Sequence, residues 1–169
     1  MSIADSAQPK TLTSAELNEL LDRFDLTASV THLLRRAHSR GDDLFAEIMC
    51  SGDLTPRQLA LLVASYQNPG ATLVELGAAI AVDRNTVAEM ISRMVDTGLL
   101  RRDRSDRDRR AWSIYITDAG VDILREVLPH NDRLMETVLA PLPLEYRPLF
   151  VKCLRLMAGL DESPASASA

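Results

Sequence analysis

The sequence predicts a mostly α-helical protein with one short β-hairpin. Apolar residues make up 46% of the 169 positions and aromatic residues only 4%, a balance rich in Leu, Ala and Val that favours helices. The apolar positions between Leu73 and Leu99 fall mostly three or four residues apart, as amphipathic helices require. At residues 99–102 and 112–116 apolar and polar residues instead alternate, with a period of two, which indicates a pair of strands.

Two helices are predicted in the first third of the chain. Thr13 and Glu16 form a capping-box pattern, and the helix that they open ends near Asp25. A long helix over residues 27–50 follows, and residues 51–53 break it. The apolar positions of its single predicted seam are Val30, Leu33, Leu34, Ala37, Gly41, Leu44, Phe45 and Ile48.

Three capped helices are predicted next, over residues 56–67, 73–80 and 84–95. Their caps are Thr55, Thr72 and Asp83. The first helix is expected to pack inward through Leu59, Leu62, Val63 and Tyr66. Gly98 supplies the left-handed conformation that commonly ends a helix, and the hairpin follows it.

The C-terminal third predicts helices that resume after the hairpin. Thr117 caps the first of them, Pro129 kinks it, and residues 140–143 form a turn. The last helix covers residues 146–160, with Leu149, Phe150, Cys153, Leu154 and Met157 expected to face inward.

The chain therefore divides into a central module and a helical frame. The predicted segments are a disordered arm (1–12), N-terminal dimerisation helices (13–53), the module (54–117), C-terminal dimerisation helices (118–160) and a disordered tail (161–169). The flanking helices carry apolar seams that a small module cannot cover. Two copies packed together would cover them, so we expect a homodimer.

The charge of the chain is acidic overall but basic in one place. The formal net charge is −5, yet residues 100–110 carry six Arg and three Asp. That local excess matters more for recognition than the total charge. No stretch approaches the roughly 18 apolar residues that span a bilayer, and residues 1–10 lack the pattern of a secretion signal, so we expect a cytoplasmic protein without membrane contact.

Catalytic and metal-binding chemistry is not indicated. His32, His38 and His130 lack the spacing of a metal site. The chain shows no phosphate loop and no nucleophile with a placed base, so we expect neither an enzyme nor a cofactor. Cys50 and Cys153 lie in apolar contexts and are expected to stay reduced.

The helix–turn–helix followed by a hairpin predicts a winged helix-turn-helix that binds double-stranded DNA. The second helix of such a module enters the major groove and points polar side chains outward. Those side chains here are Arg84, Asn85, Thr86, Glu89 and Arg93. Arg pairs with guanine and Asn with adenine, each for about 1 to 3 kcal/mol of discrimination. The alternative is an exposed helix with polar caps.

The arginine-rich hairpin tip is the second predicted DNA contact. Its residues Arg107, Asp108, Arg109 and Arg110 suit a minor groove or a line of phosphates. The interleaved Asp residues orient the guanidinium groups and limit their repulsion. Two alternatives remain: a solvated charged hairpin, and a winged helix that binds protein, which would need neither these arginines nor Asn85.

The segment DRNTVAEMISRMVDTGLLRR, followed by RSDRDRRAWSIYITDAG, resembles the MarR (multiple antibiotic resistance regulator) family of winged-helix repressors. The resemblance is strong over residues 54–120 and covers the flanking helices in pattern only. It implies that Asp108 braces the wing, that Arg110 reaches into the minor groove and that residues 84–93 read the major groove. It also implies that the terminal helices form a dimer on a palindromic operator.

The same resemblance implies a small effector, a phenolic or aromatic acid, that releases the DNA. His32, Arg36 and Arg40 lie four residues apart along the long helix, where they suit a carboxylate or phosphate, and Tyr66 could close the pocket. HLLRRAHSRGDDLFAE resembles family members that sense aromatic acids as coenzyme A thioesters. The expected function is thus a repressor of aromatic catabolic or resistance genes. The alternatives are a solvated helix face, with Arg40 paired to Asp43 or Glu47, and redox sensing through Cys50.

Overall fold

The computed structural model describes residues 11–49, 54–104 and 112–160. Outside those ranges lie residues 1–10 of the predicted arm, the whole predicted tail, Cys50 and the predicted helix break at 51–53. The hairpin tip with its four predicted contacts, Arg107, Asp108, Arg109 and Arg110, lies outside them as well. The described elements are mostly helical with a small sheet, which confirms the predicted fold class.

In chain order the helices and strands are α1 (Ser14–Arg23), α2 (Val30–Met49), α3 (Pro56–Gln67), β1 (Ala71–Thr72), α4 (Leu73–Ala79), α5 (Arg84–Asp96), β2 (Leu100–Arg104), β3 (Trp112–Ile116), α6 (Asp118–Val127), α7 (Asn131–Leu139) and α8 (Arg147–Met157). Short 3-10 turns occupy Leu26–Ala28, Leu128–His130 and Leu144–Tyr146. The chain forms two compact units that divide within α2, between Ser39 and Arg40.

The first unit opens with the predicted capping box. The Thr13 N–H donates to Glu16 Oε2 at 2.8 Å, and the Glu16 N–H donates to Thr13 Oγ1 at 3.4 Å. A separate 3-10 turn then precedes α2, because Asp25 Oδ1 accepts the Thr27 N–H at 2.8 Å. The predicted start of the long helix at residue 27 is therefore wrong, and the helix begins at Val30.

The predicted seam of α2 is buried only in its C-terminal part. Phe45 and Met49 are buried and pack around Val127 of α6, whereas Val30 and Leu33 are exposed. The prediction of one buried seam along the whole helix is wrong for a single chain. A side chain leaves water only where another element covers it.

The main core of the second unit lies between α3, α4, α5, α6 and the sheet. Its buried side chains include Leu61, Leu62, Leu76, Val87, Ile91, Met94, Leu100, Ile114 and Leu124. Leu62 is buried as predicted, but Tyr66 is 59% exposed, so its predicted inward packing is wrong. The inner face of α3 is formed by Leu61, Leu62 and Ser65. Tyr66 comes one position after Ser65, and that step around the helix turns its side chain away from the core.

The sheet has three antiparallel strands in the order β1-β3-β2, one more than the predicted hairpin. Ala71 of β1 pairs with Ile114, on the opposite edge of β3 from β2. A strand of two residues cannot display a period of two, and Thr72 also caps α4, so the sequence signal there is that of a helix. β2 begins at Leu100 and continues to Arg104, two residues beyond the predicted end.

The C-terminal helices begin and end close to the predicted positions. A 3-10 turn containing Pro129 joins α6 to α7. The last helix starts at Arg147 and ends at Met157, within the predicted residues 146–160. Its predicted inward side chains, however, are exposed: Leu149, Phe150, Cys153, Leu154 and Met157. That prediction is wrong for a single chain, because no element among the described residues buries this face of α8.

The start of α6 packs directly on the turn that follows α5. The Thr117 N–H donates to the Leu99 carbonyl at 3.1 Å, and the Thr117 hydroxyl donates to the Gly98 carbonyl at 2.6 Å. The same hydroxyl accepts the Gly120 N–H at 3.1 Å. A Cβ on Gly120 would lie 2.4 Å from the Leu99 carbonyl oxygen and 2.7 Å from Ile116 Cγ1. Only glycine permits this approach.

Gly120→Ala is expected to lower the free energy of unfolding by about 1 to 3 kcal/mol, because the added methyl group meets a backbone carbonyl that cannot rotate away. Gly41→Ala is the control, since a Cβ there meets nothing within 4 Å and alanine favours a helix by about 0.5 to 1 kcal/mol. Urea denaturation of both variants measures the difference. Equal stability of the two would contradict the packing described at Gly120.

Candidate DNA-binding surface

Helices α4 and α5 pack closely because Gly77 has no side chain. A Cβ on Gly77 would lie 3.1 Å from both the Val82 carbonyl oxygen and Val87 Cγ1. Ala81 takes φ +53° in the turn between the helices, which is the left-handed conformation that commonly ends a helix. Val87 is fully buried, so the angle between α4 and α5 is fixed by direct packing.

Helix α5 has a buried face and a polar face. Val87, Ile91 and Met94 are buried in the core of the second unit. Four of the five residues predicted to read bases are exposed: Arg84, Asn85, Glu89 and Arg93. The arrangement places Arg84 and Asn85, two side chains that can form bidentate hydrogen bonds with bases, in the first turn of the helix, where a recognition helix contacts base edges.

The fifth predicted residue, Thr86, is half-buried and belongs to the cap of α5. Its hydroxyl donates to Asp83 Oδ2 at 2.6 Å, and its N–H donates to Asp83 Oδ1 at 3.0 Å. These bonds, the hydroxyl first, hold the pKa of Asp83 below its ordinary value of 3.8. The Asn85 N–H also donates to Asp83 Oδ1, at 3.0 Å. Asp83 therefore fixes the backbone that presents Arg84 and Asn85.

Glu89 and Arg93 pair with each other along α5, one helical turn apart. Both side chains are about two-thirds exposed, so the pair is weak in water and open to exchange for a base or phosphate. The contacts of Arg84, Asn85, Thr86, Glu89 and Arg93 with DNA stay a prediction.

The base of the wing carries Arg101, Arg102 and Arg104, which belong to the predicted basic segment at residues 100–110 but not to the four contacts singled out at its tip. Arg101 lies over the Tyr115 ring at 4.4 Å and pairs with Asp103. Arg102 and Arg104 lie over the Trp112 ring. The alternation of residues along β2 hinted at two faces, but the partners depend on the register with β3, which the sequence did not supply. The four predicted contacts at the wing tip lie outside the described residues.

The predicted effector residues lie on two helices, α2 and α3. His32, Arg36 and Arg40 are on α2, where His32 is half-buried and the two arginines are exposed. Tyr66 lines a cavity of about 390 Å³ between α3 and the end of α6. The remaining lining residues are Val121, Leu124, Arg125, Leu128 and Pro129.

Arg125 is the functional candidate in this cavity that sequence reasoning missed. Its Nη1 donates to Asp122 Oδ1 at 2.6 Å, and its side chain is 73% exposed. The sequence did contain a signal for Arg125. It is a basic residue next to the apolar residues of α6 that recur three and four positions apart. The lining thus combines apolar side chains with the Tyr66 phenol and the exposed guanidinium of Arg125, which is paired with Asp122.

Two other kinds of site can be assessed within residues 11–49, 54–104 and 112–160. No three histidine, cysteine or acidic side chains in those ranges are grouped so that they could hold a metal ion. None of the helices there combines the length and the apolar character that crossing a membrane requires.

Known proteins resemble this chain over the same module. The family model described as MarR family matches residues 54–112. The transcriptional regulator HosA of Escherichia coli O157:H7 is 36% identical over 105 residues, which cover 62% of this chain and 78% of HosA. The chain belongs to the MarR family. It is accordingly a transcriptional regulator with a DNA-binding winged helix, not an enzyme.

Two further MarR-type proteins resemble most of the chain. The HTH-type transcriptional repressor NicR of Pseudomonas putida is 29% identical over 140 residues, covering 83% of this chain and 89% of NicR. The structure of Bordetella bronchiseptica BpsR, whose DNA binding is regulated by 6-hydroxynicotinic acid, superposes with a TM-score of 0.74 at 27% identity. It covers 80% of this chain and 98% of BpsR. The similarity therefore extends beyond the winged helix into the helical frame.

Asp83→Ala is expected to lower the melting temperature by a few degrees at neutral pH, because two amide groups of α5 lose their acceptor. Asp83→Asn is the matched control, since asparagine also caps helices well. The depressed pKa means that the stabilisation by the carboxylate is fully present above pH 3.8 and is lost as the pH falls through the lower, folded-state pKa. Thermal unfolding followed by circular dichroism across this range measures it. A deficit of the alanine variant that persists unchanged in acid would refute the role of the carboxylate.

Proposed function

We propose that this MarR-family protein is a ligand-responsive repressor of aromatic catabolic or resistance genes. As a homodimer in the cytoplasm it binds a palindromic operator, and a small aromatic acid or its coenzyme A thioester releases it. The proposal that the protein reads DNA rests on one observation. The first turn of α5 exposes polar side chains, while the opposite face of the helix is buried in the core.

The exposed apolar faces of α1 and α8 support the homodimer. Neither helix buries a residue, although both are amphipathic. The side chains left exposed include Leu17, Leu20, Leu21 and Phe24 on α1, and Leu149, Phe150, Leu154 and Met157 on α8. Apolar surface of this extent is normally covered, and a second copy offers the same surfaces. Dimerisation places two α5 helices on one face of DNA, about 34 Å apart.

DNA recognition then uses two kinds of contact. Arg84 and Asn85 read base edges in the major groove, and Arg93 reaches a base or phosphate after leaving Glu89. At the wing, Arg107, Arg109 and Arg110 follow the minor groove, with Asp108 as brace. A palindromic operator follows from the twofold symmetry of the dimer.

The effector is argued from two separate features of the chain. The row of His32, Arg36 and Arg40 on α2 offers charge-assisted hydrogen bonds to a carboxylate or to the phosphates of coenzyme A. The cavity lined by Tyr66 and Arg125 offers apolar walls with a polar edge. The regulation of BpsR by 6-hydroxynicotinic acid, an aromatic acid, supports this class of effector. A ligand that binds one dimer geometry better than the other shifts the spacing of the two α5 helices.

The DNA contacts are tested with the duplex that the protein selects from a random-sequence library. We expect two inverted half-sites in the selected sequence. Asn85→Ala should weaken binding about five- to hundredfold and relax the preference at one base pair of each half-site. Arg110→Ala should weaken binding to all sequences and reduce its salt dependence. Fluorescence anisotropy measures both.

Arg23→Ala, on α1, is the control for these variants, because Arg23 is an exposed arginine that pairs with Glu19 outside the module. Unchanged affinity in Arg110→Ala would contradict the wing assignment. Failure of the wild-type protein to enrich any sequence would favour the alternative, a winged helix that binds protein.

For the effector, Arg36→Ala should retain DNA affinity but lose release by the active compound. The compounds to be screened are benzoic and hydroxybenzoic acids, 6-hydroxynicotinic acid and their coenzyme A thioesters. Arg35→Ala is the matched control, since it removes the neighbouring exposed charge from a different side of α2. Release from the operator by anisotropy is the measurement. If none of these compounds releases DNA from the wild-type protein, the effector proposal is wrong.

A further inference from the structure

Trp112 occupies the first position of β3, at the outer end of the described hairpin. It pairs directly with Arg104 in the antiparallel register, and Arg102 pairs with Ile114, one step closer to the core. Residues two apart on a strand share a face, so Arg102, Arg104 and Trp112 lie on the same side of the hairpin. Trp112 is 43% exposed, so its ring is open to the side chains around it.

Both arginines use this ring. The guanidinium carbons of Arg102 and Arg104 lie 5.7 and 4.7 Å from the centre of the Trp112 ring, within the range of a cation–π interaction. Indole is the strongest of the aromatic partners for a cation. Stacking uses the flat face of a guanidinium and does not consume its N–H donors, so a stacked arginine still bonds phosphate oxygens.

The other face of the hairpin carries an ion pair. Arg101 lies over Tyr115 at 4.4 Å, but its guanidinium pairs with Asp103. Asp103 is the one carboxylate among residues 100–104 and 112–116, and the register places it opposite Ser113, on the face away from Trp112. Arg102 and Arg104 are therefore the basic residues on the Trp112 face, and β2, the strand that carries both, packs against α5.

We propose that Trp112 is a positioning residue that holds Arg102 and Arg104 as a pair of phosphate contacts at the base of the wing. These contacts flank the groove that α5 reads and are separate from those of the wing tip. The inference rests on DNA binding by the module. It adds two contacts to that surface and assigns an aromatic side chain to their geometry.

The physical reason is conformational entropy. An exposed arginine has many rotamers, and binding a phosphate restricts them at a cost in affinity. A guanidinium already held on a ring by a cation–π contact has lost part of that freedom before DNA arrives. Trp112 thus raises DNA affinity without touching DNA, and its effect requires both the ring and the charges.

The test is a double-mutant cycle in DNA affinity. Trp112→Leu should weaken binding to the selected duplex about three- to tenfold, the strength of one or two exposed cation–π contacts. Trp112→Phe should restore part of the loss. Arg102→Gln and Arg104→Gln should each lower the slope of log affinity against log salt by about 1, and each should cost less affinity in the Trp112→Leu background.

Arg101→Gln is the matched control, because its charge is already balanced by Asp103 on the opposite face. It should leave the salt slope nearly unchanged. A mixed-sequence duplex should show the same effects of Trp112→Leu, since phosphate contacts carry no sequence information.

Fluorescence supplies a second measurement, because Trp112 is the only tryptophan in the chain. The double variant Arg102→Gln, Arg104→Gln should change the emission of the free protein, and DNA should change the emission of the wild type. This readout needs no substitution at Trp112, so it holds even where Trp112→Leu lowers the melting temperature.

The outcomes separate the inference from the function on which it rests. Wild-type binding with additive effects of Trp112→Leu and the arginine variants would overturn the positioning role and leave the winged helix as a DNA reader. Emission that neither the double arginine variant nor DNA alters would overturn it as well. Absence of binding by the wild type to any duplex would instead overturn DNA binding, and the inference with it.

Discussion

The contact of the first turn of α6 with the Gly98–Leu99 turn is the constraint on which the rest of the DNA-binding unit depends. Thr117 bonds both carbonyls of that turn, and Gly120 approaches Leu99 more closely than any other residue type would allow. The turn is also the exit of α5 and the entrance to β2. Three elements are thereby joined at one point, by the Thr117 hydroxyl and the backbone carbonyls of Gly98 and Leu99.

This junction explains why the helix and the wing act as one surface. α5 is fixed at its start by Asp83 and at its end by the Thr117 junction, so its exposed face keeps a constant relation to the hairpin. The buried core that includes Leu76 and Ile114 excludes water from the space between α5 and the sheet. In the proposed switch, displacement of α6 therefore moves the recognition helix and the wing base together, since neither can stay behind without breaking the Thr117 bonds.

The sequence predicted those features that depend on a few neighbouring residues. The caps at Thr13, Thr55, Thr72 and Asp83 were all predicted, because each depends on residues within three positions of the cap. The strand β1 escaped prediction, since two residues have no period and its partner lies more than forty positions away.

Features that depend on tertiary contacts were predicted poorly. Tyr66 was assigned to the core on spacing alone, but its rotation about α3 is set by which face the sheet covers. The stack on Trp112 and the place of Arg125 in the cavity required the register of the hairpin and the position of α6 against α3. The inward faces predicted for α2 and α8 illustrate the same limit, because amphipathicity shows that a face is apolar without showing what covers it.

One consequence of Pro129 concerns mechanics. Proline has no N–H to bond the preceding turn, so the rod formed by α6 and α7 has its lowest bending stiffness at the 3-10 turn between them. Pro129 and Leu128 also line the cavity with Tyr66 and Arg125. The 3-10 turn that lines the cavity is thus the point at which α6 and α7 bend most easily relative to each other. Helix α7 extends about 13 Å beyond this turn, because its nine residues rise 1.5 Å each. A bend of a few degrees there is enough to displace the far end of α7 by about an ångström.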